Sequence, residues 1–268
     1  MSALPVVVIP VFNAPAQLER CLDAVRNSVD AAADVIVIDD ASTDPAVAKL
    51  LESRCEGWTV IGQAENLGFV ATANRGMREA GDRDVVLLNS DTVPAGDWLR
   101  RISQCAESDS TIASITPFTN NGEIASLPTF CHASPVPGDP EAWALACRQA
   151  AGPDYPEIPT AVGFCMYMRR ACIDAIGTFD EVAFGRGYGE ENDWCMRATA
   201  DGWRHVLADD VFVAHEGNAS FGPLGLGPGD AAMRKLLERH PGYLDRVGDF
   251  IRRDPLATVR RRVLEHLL

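Results

Sequence analysis

The sequence predicts an α/β domain whose core is a largely parallel sheet with helices on both faces. Three observations predict it. Short β-branched runs alternate with amphipathic segments through the first half, the pattern of strand-helix-strand units. The runs are apolar throughout, as strands covered on both faces are. Each run then stops in small polar residues, at the carboxyl ends where open α/β sheets bind their ligands.

Taken in order, the first strand is Val6-Val7-Val8-Ile9, and Leu18, Cys21, Leu22, Val25 and Val29 follow it at helical spacing. Val35-Ile36-Val37-Ile38 is the second strand and Trp58-Thr59-Val60-Ile61 the third, read as buried like the others. A helix over residues 69–81 places Val70, Ala73, Met77 and Ala80 on one face, and Val85-Val86-Leu87-Leu88 is the fourth strand. A Pro- and Gly-rich stretch over 117–160 contains a helix near 139–150. Strand character returns at Ala161–Met168, a glycine loop follows at Gly185–Gly189, a helix opens at Glu190, and a last strand runs through Val211 to His215. We expect one domain over 1–252, with halves 1–117 and 118–252, and a basic helix or linker over 253–268.

Bulk properties narrow the function. The chain has 268 residues, 47% of them hydrophobic, enough for a sizeable core. With 38 acidic against 24 basic side chains, the net charge of −14 argues against a nucleic-acid partner. Eight cysteines occur without a C-x-x-C spacing and read as reduced, buried apolar residues, which fits a cytoplasmic location. The apolar start lacks a positive region and is broken by Pro5 and Pro10, so it is read as neither signal peptide nor anchor.

The strand ends carry the chemistry. They are Pro10-Val11-Phe12-Asn13, Asp39-Asp40-Ala41-Ser42-Thr43-Asp44, Glu65-Asn66-Leu67-Gly68 and Asn89-Ser90-Asp91-Thr92. Each alone is an ordinary turn. Four on one rim suggest a site. Neither G-x-G-x-x-G nor a P-loop follows the first strand. An acidic rim instead suits a divalent cation, which in turn neutralises a diphosphate. Further on, Glu190, Glu191 and Asp193 crowd a helix start, where they either complement the helix dipole or supply a general base. His215 ends the last strand and is either a satisfied core histidine or a metal ligand.

In order and spacing, the segments Val7–Asn13, Val37–Asp44, Asn66–Phe69 with Ala73–Gly76, Leu88–Thr92, Gly189–Trp194 and His215–Gly217 resemble the motifs of family 2 glycosyltransferases, over about residues 5–222. The resemblance implies a GT-A fold: a mostly parallel, Rossmann-like central sheet flanked by helices, with a mixed acceptor-side second half. It implies inverting, metal-assisted transfer of a sugar from a nucleotide-sugar donor to an acceptor hydroxyl. By position, Pro10, Phe12, Asn13, Asp39, Asp40, Asn66, Gly68, Asn74, Asn89 and Ser90 would bind nucleotide. Asp91 and His215 would hold Mn²⁺ or Mg²⁺, and Glu191 would be the base, with Asp193 the alternative. The sequence departs from many relatives at Asn89, in place of a first Asp, and at Ala73, in place of an Arg.

The motif versions, with Thr116–Gly122, look most like bacterial polysaccharide and O-antigen enzymes, including rhamnosyltransferase-like ones, so UDP-sugars and dTDP-rhamnose are both candidate donors. The acceptor would be a glycan or lipid-linked glycan. Residues 252–268 hold five Arg against two acids, with Leu256, Val259, Val263 and Leu267 at helical intervals. That stripe reads either as peripheral membrane contact or as a helix packed on the domain. Two rival functions remain: an inactive nucleotide- or carbohydrate-binding scaffold, and a sugar nucleotidyltransferase, which should carry a basic glycine loop where this chain has Val11–Pro15.

Overall fold

A computed structural model describes residues 3–150, 152–217 and 230–267. The first half is the expected alternation: β1 (Val6–Val11), α1 (Pro15–Ser28), β2 (Val35–Asp39), α2 (Pro45–Arg54), β3 (Thr59–Gly62), α3 (Phe69–Glu79) and β4 (Val85–Leu88). It continues through β5 (Thr92–Pro94), α4 (Trp98–Ser108), β6 (Ile112–Phe118), a 3-10 turn (Glu123–Ala125), α5 (Pro140–Ala150) and β7 (Cys165–Met168). The rest is α6 (Arg170–Ile176), α7 (Glu181–Phe184), α8 (Glu190–Ala200), β8 (Arg204–His215), α9 (Asp230–Arg239), α10 (Tyr243–Arg253) and α11 (Ala257–Glu265).

The strands form one sheet in the order β3-β2-β1-β4-β7-β6-β8-β5. β1 to β4 are parallel, so their carboxyl ends share an edge. β7 runs against both β4 and β6, and β5 runs against β8, which makes the second half mixed. Alternate residues of each central strand face opposite layers. Val7, Ile9, Val37 and Val86 meet the apolar faces of α1, α2 and α4, while Val8, Ile36, Ile38 and Leu87 meet those of α3, α6 and α8. α3 lies especially close: a Cβ on Gly76 would come 2.1 Å from Val8 Cγ1, so only glycine permits that approach.

Several expectations need correction. The third strand is not buried: Thr59 and Val60 are exposed, because β3 occupies the sheet edge and pairs with β2 alone among the described residues. Of Ala161–Met168 only Cys165–Met168 is strand. The short β5 gave no sequence signal, since three residues are too few for a period.

The membrane-contact reading of residues 252–268 also gives way. Leu256, Val259 and Val263 are buried in a third core with Phe250, Phe118 and Phe212, and Leu267 packs against its edge. The apolar face that a membrane would take is already covered by the domain. Two of the arginines are occupied as well, Arg260 by Asp254 and the Phe130 ring, and Arg262 by Asp154. The expected boundary at 252/253 falls inside α10. No helix among the described residues is long and apolar enough to cross a membrane.

Candidate active site

The polar strand ends open onto a cavity of about 390 Å³. Of the predicted site residues, Pro10, Phe12, Asp40, Asn66, Gly68, Asn89, Ser90, Asp91, Glu191 and His215 line it. Asn13, Asp39, Asn74 and Asp193 do not, and each is engaged elsewhere.

The three expected nucleotide residues outside the lining build its frame. Asn13 Oδ1 accepts from the Thr43 and Asp44 amides at 2.9 and 3.0 Å, tying the loop after β1 to the loop after β2. Asp39 Oδ1 accepts from the Ser42 amide at 3.0 Å and shapes that second loop. Asn74 is buried in α3, where its side chain exchanges hydrogen bonds with the backbone of Phe179 and donates to Glu181. Asp40 does both jobs: it lines the cavity while its carboxylate accepts from the Leu67 and Gly68 amides, each at 2.8 Å, and from Gln63. The Asn66–Gly68 segment is therefore set by Asp40.

Asn89–Thr92 is a turn, closed by Thr92 N donating to Asn89 O at 3.2 Å and by the Thr92 hydroxyl at 2.7 Å. It is also part of the site. β5 begins at once and pairs Thr92 with His215, so Asp91 and His215 arrive side by side from opposite ends of the chain. Asp91 Oδ1 lies 3.4 Å from His215 Nε2. His215 Nδ1 is 2.7 Å from Asn121 O, so it donates there, and the ring stacks on Phe164 at 5.3 Å. Burial disfavours the His215 cation, but Asp91 outweighs it and raises the pKa.

These residues fit a divalent cation. The Asn121 carbonyl fixes the tautomer that turns Nε2 toward Asp91, the usual arrangement of a metal-binding histidine. Donor atoms 3.4 Å apart can share one ion. No third His, Cys, Asp or Glu joins them among the described residues, which suits a metal that keeps waters and takes substrate phosphate oxygens. Asn120 locks the strand end: its Oδ1 accepts from His215 N and its amide donates to His215 O.

α8 brings a second group of acids. Glu190 is 5% exposed, Glu191 faces the same cavity, and each has a buried Oε2 with no hydrogen-bond partner among the described residues. Burial, then the neighbouring Glu191 charge, pushes Glu190 well above the usual carboxylate range. Burial also pushes Glu191 up, with Glu123 adding to it. Asp193 is the opposite case. Burial would raise its pKa, but hydrogen bonds from His240 and Arg197 hold it below the usual range, with Arg239 also paired to it.

Several cavity residues escaped the sequence reading. Glu123, Asn121, Arg186, Tyr188 and Tyr243 lie in loops or at the start of a late helix, where no periodicity marks them. Only the Asn120-Asn121-Gly122 run carried a signal, as an amide cluster at a strand end. The cavity lining holds five carboxylates, Asp40, Asp91, Glu123, Glu190 and Glu191, against one guanidinium, Arg186.

The family model for glycosyl transferase family 2 matches residues 6–177, more than half of the chain. The chain belongs to this family. Among curated relatives, the family 2 chain is 27% identical over 106 residues to glycosyltransferase AglE of Haloferax volcanii, covering 37% of this chain and 35% of that one. It is 27% identical over 96 residues to glycosyltransferase GlyA of Streptococcus pneumoniae, covering 35% of this chain and 13% of that protein. The matches thus span well under half of either relative. Among solved structures, GalNAc-T7 with UDP, GalNAc and Mn²⁺ superposes with a TM-score of 0.65 at 14% identity, over 99% of this chain and 55% of that one. The Pyrobaculum calidifontis mannosyltransferase PcManGT, with GDP-Man and Mn²⁺, gives 0.58 at 16% identity over 97% and 73%. The fold is GT-A. Residues 218–222 of the expected motif span lie outside the described residues.

Proposed function

We propose that this protein transfers a sugar from a nucleotide-sugar donor to an acceptor hydroxyl, with inversion, in the synthesis of a polysaccharide or other cell-surface glycan. The observation that carries the reading is the meeting, in one cavity, of a cation-ready Asp91–His215 pair and the adjacent acids Glu190 and Glu191. Each pair matches one half of glycosyl transfer.

On the donor side, the nucleoside would lie among Pro10, Phe12, Asp40, Asn66 and Gly68, with Asn89 and Ser90 beside it. Mn²⁺ or Mg²⁺ held by Asp91 and His215 would offset the negative charge that develops on the leaving diphosphate. The GalNAc-T7 and PcManGT complexes, with UDP and GDP-Man, support a nucleotide-sugar donor. UDP-sugars and dTDP-rhamnose remain the donors favoured by the sequence motifs.

On the acceptor side, Glu191 would take the proton of the attacking hydroxyl. A carboxylate in a desolvated pocket is more basic than one in water, which brings it nearer the operating pH. Glu190, pushed well above the usual carboxylate range by burial and then by the Glu191 charge, would stay neutral and leave Glu191 as the acid that ionises. A single ionised base then faces the acceptor.

E191Q tests the reading. It should lower turnover of the donor by at least about a hundredfold, the range of lost general base catalysis, while leaving nucleotide binding intact. Wild-type turnover by that variant would end the assignment.

A further inference from the structure

Arg186 is the single arginine or lysine among the described residues that line the cavity. Its guanidinium is held by neutral oxygens, Asn66 Oδ1 and Asn66 O. Several carboxylates of this region are engaged elsewhere: Asp40 by the Leu67 and Gly68 amides, Asp180 by Arg239, and Glu181 by Asn74 and Arg78. The positive charge is thus positioned without being neutralised.

The backbone that carries it is fixed in the same direction. Phe69 N donates to Arg186 O at 3.3 Å, and a Cβ on Gly68 would lie 2.9 Å from Arg186 Cα. The Arg186 segment therefore sits directly on the loop expected to hold the nucleoside, and glycine at 68 is what lets it do so. Two residues on, Tyr188 lines the same cavity, and the chain continues into Glu190 and Glu191, which line it too.

Arg186 is an exposed residue that lines the cavity, and among the described residues no ion pair joins it to the five lining carboxylates. Here Asn66 holds it with amide and carbonyl acceptors. The planar fork matches the non-bridging oxygens of a phosphate.

We propose that Arg186 is a donor-binding residue that grips the diphosphate of the nucleotide, a role additional to the Asp91–His215 cation site. The inference rests on the donor-site reading above. It follows that Asn66 serves two partners, the nucleoside and the arginine that reaches past it.

The test is binding, so it needs no acceptor. Wild type, R186A and R186K are titrated calorimetrically with UDP, GDP and dTDP in the presence of MnCl₂, and with uridine, guanosine and thymidine by ligand-observed NMR. R186A should weaken the diphosphate that wild type binds by roughly ten- to a hundredfold, as loss of charge-assisted hydrogen bonds does. R186K should recover part of that loss, because it restores charge without the fork. Nucleoside affinity should not change. Unaltered diphosphate affinity in R186A would overturn the inference, as would an equal loss for the nucleoside, which would make Arg186 a prop for Asn66. A wild type that binds none of the three diphosphates would overturn the donor-site reading itself, and this inference with it.

Discussion

Asp193 and Glu191 stand two residues apart on α8, Glu191 lining the cavity and Asp193 buried in ion pairs away from it. Replacing Asp193 with Ala should therefore damage stability. Its side chain is 1% exposed and receives Arg197, Arg239 and His240 at 2.9, 3.3 and 2.9 Å, which ties α8 to α9. Breaking a buried ion pair from one side costs about 3–5 kcal/mol, because the surviving charge is stranded. Here the survivors are 27%, 42% and 15% exposed, so the arginines can turn back to water. That solvation discounts the cost to about 2–3 kcal/mol. For a chain of this size that lowers the melting temperature by roughly 5–10 °C. Thermal unfolding followed by circular dichroism measures the shift, and nucleotide titration at a temperature where the variant is folded measures the site. A D193A protein that melts like wild type and binds nucleotide, yet has lost transfer, would refute the reasoning and make Asp193 the base.

Other predictions follow from the same geometry. H215A should weaken Mn²⁺ affinity in the presence of nucleoside diphosphate by at least tenfold in calorimetry, and an unchanged titration would return His215 to a packing role. His205 is buried, accepts from Ser114, donates to the Cys195 carbonyl, and is pushed down by burial to about 4. Between about pH 6.5 and 4 the unfolded chain binds a proton there that the folded chain does not, so stability rises with pH through that window. Asp209, pushed up by burial to about 6, has the opposite slope and masks it. The informative quantity is thus the stability difference between wild type and H205Q, which should shrink by about 2 kcal/mol from pH 6.5 to 4.5 in urea melts; a constant difference would contradict the buried neutral imidazole. V263D should destabilise the domain, by about 2–4 kcal/mol for an unpaired buried charge, and leave liposome co-sedimentation unchanged. Membrane binding that V263D abolishes without loss of stability would restore the membrane reading of α11.

The sequence made the parallel half of the sheet legible because its signals are local. Four apolar runs, helical stripes such as Leu18, Cys21, Leu22 and Val25, and polar strand ends each fit within one element. Asp91 and His215 were legible as residue types at strand ends. Their proximity was not, since it depends on β5, three residues long, pairing with the end of β8. Asn13, Asp39 and Asn74 show the converse. These polar residues read as nucleotide ligands, yet none lines the cavity, and their side chains hydrogen-bond to the segments that shape it. Backbone amides in those loops need acceptors, and the amide and carboxylate groups nearby supply them. Arg186 and Glu123 were invisible because loop residues have no period, and only the folded loops set them against the rim. The C-terminal stripe was ambiguous from sequence because a helix facing a membrane and a helix facing a core share one pattern.

The most direct test of the central claim is a thermal-shift panel of UDP, GDP and dTDP, each with and without Mn²⁺. A donor site assembled by Asp91, His215 and the polar strand ends predicts that at least one diphosphate raises the melting temperature, and does so more strongly with the metal. At a ligand concentration of about 100 Kd the stabilisation is roughly 2.7 kcal/mol. No shift with any of the three, with or without Mn²⁺, would contradict the account and leave a GT-A fold without a nucleotide site.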